Sequence, residues 1–376
     1  MLPFTTLAES LPASVPFVGP ERIARDSGIE TTARIGANES VFGPSPKAIA
    51  AMQEAVVASW AYGDPEHFEL RTAIAGYHGV APENIVVGEG VDGLLGLLVR
   101  LIVENDTVVA TSAGAYPTFN YHVNGFGGRL VTVPYCGDHE DPDALASLAV
   151  EENAALVYFA NPDNPMGSVH PAAVVQKLID ATPEHQVLCL DEAYVDFAPD
   201  GTAPAIDVTR KNIIRFRTFS KAYGMAGIRV GYGIAHADLA SAFNKIRNHF
   251  GVSRVAQAGA LAALADQDYL HDVVARTARS RARIAEIAAA NGLEALPSAT
   301  NFVAVDCKGD ATFAKGVVDG LARHGIFIRM PFVAPQNRCV RISAGTDAHL
   351  DLLEAALPQV LGELRQLGAD GIKLAG

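Results

Sequence analysis

Arg217-Thr218-Phe219-Ser220-Lys221-Ala222-Tyr223-Gly224-Met225-Ala226-Gly227-Ile228-Arg229-Val230-Gly231-Tyr232 follows a strongly apolar, β-branched run from Asn212 to Phe216. One lysine stands among hydroxyls and glycines, and an arginine follows eight residues on. That composition suits a lysine confined in a pocket with an anion beside it. A desolvated lysine amine loses its proton more readily and can then add to a carbonyl to form a Schiff base. The competing reading of the stretch alone is a loop lysine at the surface, where most lysines lie.

The run Asn212 to Phe216 is one of several strand-like segments that alternate with helical ones. The others are Ile85 to Val87, Thr107 to Ala110, Leu130 to Val133, Ala155 to Phe159, Val187 to Leu190 and Val230 to Ile234. Ser45 as N-cap and Pro46 at the first helical position start a helix to about Ser59. Further helices are expected at Glu66 to Tyr77, Leu94 to Ile102, Asp143 to Val150, Pro171 to Ala181 and Ala237 to Asn248. Such alternation predicts a mostly parallel sheet covered on both faces, with ligands beyond the carboxyl ends of its strands. Residues 1 to 36, rich in proline, read as an extended arm. From about Ser253 long Ala- and Arg-rich helices run to Asn291-Gly292. Beyond them come strands at Phe302 to Val305, Ile326 to Ile328 and Cys339 to Ile342, with helices at Ala311 to His324 and from Ala348, which read as a smaller α+β domain.

The 376 residues exceed the usual limit for one hydrophobic core, so more than one domain is expected. The division read from the chain is an arm at 1–42 serving the small domain and dimer contacts, a large α/β domain at 43–265, and a small domain at 266–376. A formal net charge of −13 argues against a nucleic-acid partner, which demands a basic face. Cys136, Cys189, Cys307 and Cys339 are far apart, and the histidines are scattered. Reduced thiols in a cytoplasmic protein and no metal site are the expectation. No apolar segment approaches the roughly 20 residues of a membrane span, and the first ten residues lack the pattern of a signal peptide.

Gly88-Glu89-Gly90-Val91-Asp92-Gly93 matches the G-x-G-x-x-G of dinucleotide-binding folds between a strand and a helix. The acidic residue expected about 20 positions on, at the end of the next strand, is missing: Thr111-Ser112-Ala113 stands there. A glycine loop opening a helix still offers backbone N–H groups to a phosphate. Two more loops follow strands, Asn161-Pro162-Asp163-Asn164-Pro165-Met166-Gly167 and Asp191-Glu192-Ala193-Tyr194. Each alone has an ordinary explanation, as a turn or a helix cap.

Taken together, these loops and the Lys221 run resemble the signature of fold-type I pyridoxal-phosphate (PLP) aminotransferases of classes I and II, in the version carried by histidinol-phosphate aminotransferases. The resemblance covers essentially the whole chain. It implies the PLP-transferase fold, α/β, with a mostly parallel seven-stranded sheet between helices and a smaller α+β domain. It implies PLP held through Lys221, with Lys221 later shuttling a proton, Asp191 paired with the pyridine nitrogen, and Tyr194 and Asn164 at the ring's phenolic oxygen. By the same resemblance Tyr116 would stack on the ring. It further implies that Val91 and Asp92 cradle the phosphate, helped by Ser220, Arg229 and Thr218, and that Tyr62 reaches the phosphate of a second subunit in a homodimer with shared sites. Arg341 and Arg329 match substrate-binding arginines, and Asn38 and Asn301 match pocket-lining positions. The partners implied are a small-molecule amino donor and a 2-oxo acid acceptor, 2-oxoglutarate, served by ping-pong transfer.

Three departures touch the substrate pocket. Phe17 stands where the histidinol-phosphate enzymes usually carry a phosphate-binding tyrosine, Asn38-Glu39-Ser40-Val41 replaces Asn-Glu-Asn-Pro, and Tyr62-Gly63-Asp64 replaces Tyr-Pro-Asp. A more apolar pocket suits an aromatic amino acid as alternative donor. A PLP decarboxylase of the threonine-phosphate type is a second alternative on the same scaffold. A PLP-binding regulator needs a DNA-binding segment for which the chain has no room, and an NAD dehydrogenase needs the missing acid. A hydroxyl hydrogen bond to a charged group contributes roughly 1.5–3 kcal/mol. Phe17→Tyr is therefore expected to raise kcat/KM for histidinol phosphate relative to phenylalanine or tyrosine; an unchanged ratio in an amine-donor panel means Phe17 is outside the pocket.

Overall fold

A computed structural model of the chain describes residues 2–13 and 19–374; Phe17 lies outside the described residues. Seven strands form the main sheet: β1 (Ile85–Gly88), β2 (Val108–Ser112), β3 (Arg129–Val133), β4 (Leu156–Ala160), β5 (Val187–Asp191), β6 (Ile213–Thr218) and β7 (Gly231–Ala235). Their order across the sheet is β1-β7-β6-β5-β4-β2-β3, with β7 antiparallel to both neighbours and the other pairings parallel. Every residue of β1, β4 and β7 is buried, because helices cover both faces, which is why these strands read as apolar runs without alternation. Edge strand β3 exposes Arg129 and Thr132, polar groups that blunt further pairing.

The order places the site. After β1 the chain crosses to β2 and β3 on the far side, then fills the gap through β4, β5 and β6. The carboxyl ends of β1, β2, β4, β5 and β6 therefore open on one rim, beyond which ligands of such sheets bind. Antiparallel β7 starts from that rim, with Gly231 opposite both Gly88 and Thr218. A Cβ on Gly231 would stand 2.8 Å from the Val91 nitrogen, so glycine lets the first turn of the next helix sit down on β7.

The second unit pairs β8 (Phe302–Asp306) antiparallel with β9 (Cys339–Ser343) and with Glu294–Ala295. Its core gathers Val303, Val317, Ile342 and Leu350 with Ala33 and Ile35 from the arm. The arm is anchored there by parallel pairing of Ala33–Arg34 with Ile326–Phe327. The helix Gln267–Ala290 buries Leu270 in the core under the main sheet and Ile284 and Ile287 in this second one.

Several expectations shift. The arm is not extended throughout: Thr6–Ser10 and Pro20–Ser27 are helical, the latter started by Pro20 and stopped by Gly28 in the left-handed region. The helix after β1 begins at Gly90 rather than Leu94, so the glycine loop is the helix's first turn. Pro117–Gly125 is a helix that periodicity did not reveal, opened by Pro117 and shielded by few apolar residues. The helix from Ala237 ends at Ala242 and tightens into a 3-10 turn over Phe243–Lys245.

Gly224 holds the Lys221 loop against the loop before Pro46. Its φ is +69°, and a Cβ there would overlap the carbonyl of Gly43. Gly224→Ala is expected to lower stability by about 3 kcal/mol or more, read as a fall in the denaturant midpoint.

Candidate active site

Lys221 is aimed by the loop that leaves β6. Thr218 Oγ1 accepts from the Ser220 N–H at 3.0 Å, turning the chain at once, and Phe219 N–H returns to the Val230 carbonyl at 3.1 Å. Buried Phe219 and Ala222 pin the loop from below. The Lys221 ammonium thereby enters a cavity of about 470 Å³ on the sheet rim. Its Nζ donates to the Asn38 carbonyl at 3.0 Å and lies 5.4 Å from the Tyr194 ring centroid. Burial lowers its pKa to about 8, with Arg341 and Arg229 pushing the same way.

Asp191 ends β5 and faces the cavity floor. Tyr158 donates to its Oδ2 at 2.8 Å and the Ala193 N–H to its Oδ1 at 3.0 Å. Burial raises its pKa, against the pull of those two donors and of Lys221. The site thus holds a carboxyl that a cation placed above it would keep ionised.

One end of the cavity is built for an anion. Val91 and Asp92 lie in the first turn of the helix Gly90–Ile102, whose leading N–H groups have no intrahelical acceptor. Arg229, at φ +61°, turns back across this turn; its Nη1 reaches Ser220 Oγ at 3.3 Å and the Ala226 carbonyl at 3.0 Å. Gly90 has φ +79°, a conformation strained for any residue with a side chain, and a Cβ there would stand 2.5 Å from the Arg229 Nη2 and push the guanidinium aside.

The opposite wall comes from the arm and the second unit. Arg341 Nη1 donates to Asn164 Oδ1 at 2.6 Å, and burial lowers its pKa to about 10 with Arg329 repelling it. Arg329 pairs with Arg341 through their backbones and lies over Phe327. Asn38, at φ +55°, is locked by Ser343: its N–H donates to Ser343 Oγ at 2.9 Å, and that hydroxyl donates to Asn38 Oδ1 at 3.1 Å. Asn38 Nδ2 then donates to the Tyr194 hydroxyl at 3.0 Å, and burial raises that phenol to about 12. Tyr116 caps the cavity from the start of Pro117–Gly125, its phenol also raised by burial.

Of the residues singled out from the sequence, the fold brings thirteen onto this cavity: Asn38, Val91, Asp92, Tyr116, Asn164, Asp191, Tyr194, Thr218, Ser220, Lys221, Arg229, Arg329 and Arg341. Asn301 sits just behind, donating to the Asn38 carbonyl at 3.0 Å, with its Oδ1 buried and unpartnered. Tyr62 is elsewhere, 76% exposed and packed on Phe250 at 4.6 Å between ring centroids. Tyr158, Glu39, Met330 and Phe332 also line the cavity and carried no sequence signal.

The profile of the family described as "Aminotransferase class I and II" matches residues 32–357. The chain belongs to that family. The aminotransferase is 36% identical over 358 residues to a histidinol-phosphate aminotransferase of Anaeromyxobacter sp., covering 94% of this chain and 97% of that one. It is 35% identical over 356 residues to the enzyme of the same name from Roseiflexus castenholzii, covering 90% and 94%. Among solved structures, the histidinol-phosphate aminotransferase of Sinorhizobium meliloti in complex with pyridoxal-5′-phosphate is 56% identical, with a TM-score of 0.95 over 97% of this chain and 99% of that one. Aspartate aminotransferase of Thermus thermophilus with maleate, at 21% identity and TM-score 0.80 over 96% of this chain and all of that one, shares the fold.

A lysine whose pKa falls on folding costs stability below that value and regains it as pH rises toward the unfolded-state value. In the cofactor-free aminotransferase, Lys221→Met is expected to raise stability at pH 7 by roughly 1–3 kcal/mol, the gain shrinking between about pH 8 and pH 10.5. Denaturant titrations across that range check it.

Proposed function

We propose that this protein is a PLP-dependent transaminase moving the amino group of histidinol phosphate to 2-oxoglutarate. One observation carries the reading: a desolvated lysine amine stands in one cavity between a buried carboxyl and a backbone-and-arginine anion cradle. Those groups fit PLP, an aldehyde with a basic ring nitrogen at one end and a phosphate at the other. The phosphate suits Val91, Asp92, Thr218, Ser220 and Arg229, where glycine at 90 and 231 keeps the backbone bare. Asp191 suits the ring nitrogen, Tyr194 and Asn164 the phenolic oxygen, and Tyr116 the ring face. When bound, PLP supplies an electron-withdrawing ring that accepts the electron pair left as a proton departs the substrate's α-carbon.

The chain's own residues do the rest. Lys221 is the attachment point and, once released, takes and returns the α-proton at Nζ; a pKa of about 8 keeps it near the value an effective base needs at working pH. Asp191, held by Tyr158 and the Ala193 N–H, supplies the negative charge that keeps a protonated ring nitrogen in place. Asn38 holds Tyr194 and Lys221 in register from the arm. Arg341 and Arg329 form the cationic wall for the donor's phosphate or the acceptor's carboxylate, and the apolar rim at Met330 and Phe332 sheds water. The histidinol-phosphate aminotransferases among the relatives support that donor over an aromatic amino acid.

We also infer a homodimer. Val57, Trp60, Tyr62 and Phe68 are 83%, 89%, 76% and 64% exposed, and Phe250 lies beside Tyr62, an apolar surface that a lone chain leaves in water. Tyr62 on that surface is the residue proposed to reach the partner's cofactor phosphate. No helix among the described residues is long and apolar enough to cross a membrane. The four free cysteines suit a reducing compartment, and we infer a cytoplasmic enzyme from them.

Lys221→Ala is expected to remove both the visible absorbance of the loaded protein and amino transfer, the latter by at least roughly 10,000-fold. An active variant sinks the assignment. Trp60→Glu is expected to convert the dimer to monomer in sedimentation and to lower cofactor affinity at the same time.

A further inference from the structure

Glu140 and Asp163 lie behind the cavity, 1% and 2% exposed, with their carboxyl groups within hydrogen-bonding reach of each other. All four carboxyl oxygens have partners, and none is a cation. Glu140 accepts from the Ala160 N–H at 3.1 Å and from Ser112 Oγ at 2.6 Å. Asp163 accepts from Tyr135 at 2.9 Å and from the Met166 N–H at 3.0 Å. Two carboxylates facing each other in a dry site cannot both ionise, so one proton belongs between them. The pair joins the ends of β2 and β4 to the turn that carries Asn164, next in sequence to Asp163. That turn is closed by the Gly167 N–H on the Asp163 carbonyl at 3.1 Å. Arg341 bonds Asn164 rather than either acid, so the guanidinium remains turned toward the cavity.

We propose that Glu140 and Asp163 are positioning residues that share one proton, and that this pair holds Asn164 and, through it, Arg341 in place for the anionic group of the substrate. The positioning half rests on the reading of Asn164 and Arg341 given above; the shared proton does not. The groups facing the pair are Tyr135, Tyr158, Tyr194, Asp191, Arg341 and, against the Glu140 backbone carbonyl, His170. Asp191 adds repulsion and Arg341 attraction; the phenols are raised and stay neutral. Burial pushes both acids up, Asp163 to about 7. Loss of the shared proton at higher pH places two negative charges beside Arg341, which weakens its hold on an anion.

Linkage gives the sign. A carboxyl with a raised folded-state pKa stabilises the fold fully below its unfolded value, near 4, and that contribution is lost as pH rises through about 7. The test uses PLP-loaded wild type, Glu140→Gln and Asp163→Asn. Between about pH 4 and pH 7 the unfolding free energy of wild type is expected to fall with a slope about one proton per chain steeper than in either variant. The KM for 2-oxoglutarate is expected to rise about fivefold from pH 7 to pH 8.5 in wild type and less than about twofold in Glu140→Gln, which needs no proton, whereas the dependence of kcat on Lys221 persists in both. Infrared spectra of wild type at about pH 6 are expected to show a buried carboxylic-acid band that a Glu140→Gln/Asp163→Asn double variant lacks. Equal proton slopes, or no such band in wild type even if the variants fail to fold, overturns the shared proton. A changed slope with an unaltered KM profile overturns the positioning role alone, and loss of all transamination in wild type overturns only the reading on which that role rests.

Discussion

The cost of taking one amine out of water governs the rest of this molecule. Lys221 Nζ sits where burial lowers its pKa to about 8, and a single carbonyl, that of Asn38, takes its hydrogen bond. The carbonyl is available because Asn38 adopts a left-handed conformation that Ser343 clamps from β9, while Asn301 shares the same oxygen from behind. Arm, second unit and main sheet therefore meet at one atom. None of them alone could desolvate the lysine, since each supplies only one wall.

Charges of both signs line the cavity. The helix Gly90–Ile102 points its free N–H groups at one end, and Arg229 folds over them because glycine at position 90 leaves the room. Asp191 lies at the floor, and two arginines stand at the opposite wall. A ligand with a phosphate, an aldehyde and a basic ring satisfies these groups, and a substrate with a second anionic group satisfies the arginines.

Beneath the sheet, a second charge network fixes what the first one needs. Alternation along the chain turns Asp191 into the cavity and Glu192 away from it. Arg215 Nη2 and Arg217 Nε grip Glu192 at 2.6 and 2.9 Å, and the Glu192 N–H continues the parallel pairing onto the Phe216 carbonyl at 2.9 Å. Breaking such a buried pair leaves an uncompensated charge, so the strand end carrying Asp191 has little freedom to move. The carboxyl pair at Glu140 and Asp163 ties down the neighbouring strand ends in the same manner, with a proton in place of a guanidinium.

The strands, their alternation with helices, and the loops bearing Lys221, Asp191 and Asn164 were legible because each depends on local chemistry: β-branched runs, glycine where the backbone must open, hydroxyls that turn the chain. Helix ends were less so, and the helix Pro117–Gly125 escaped because half its residues are polar and no apolar stripe marks it. The antiparallel direction of β7, the pairing of Ala33–Arg34 with Ile326–Phe327, and the roles of Tyr158, Glu140 and Asp163 were not legible at all. Those depend on residues brought together from distant parts of the chain, and no local pattern encodes which buried carboxyl will face which hydroxyl. Residue type and spacing decided which groups this protein could use; the packing of three chain segments around one cavity decided their protonation and their aim, because both follow from what surrounds a group rather than from what precedes it.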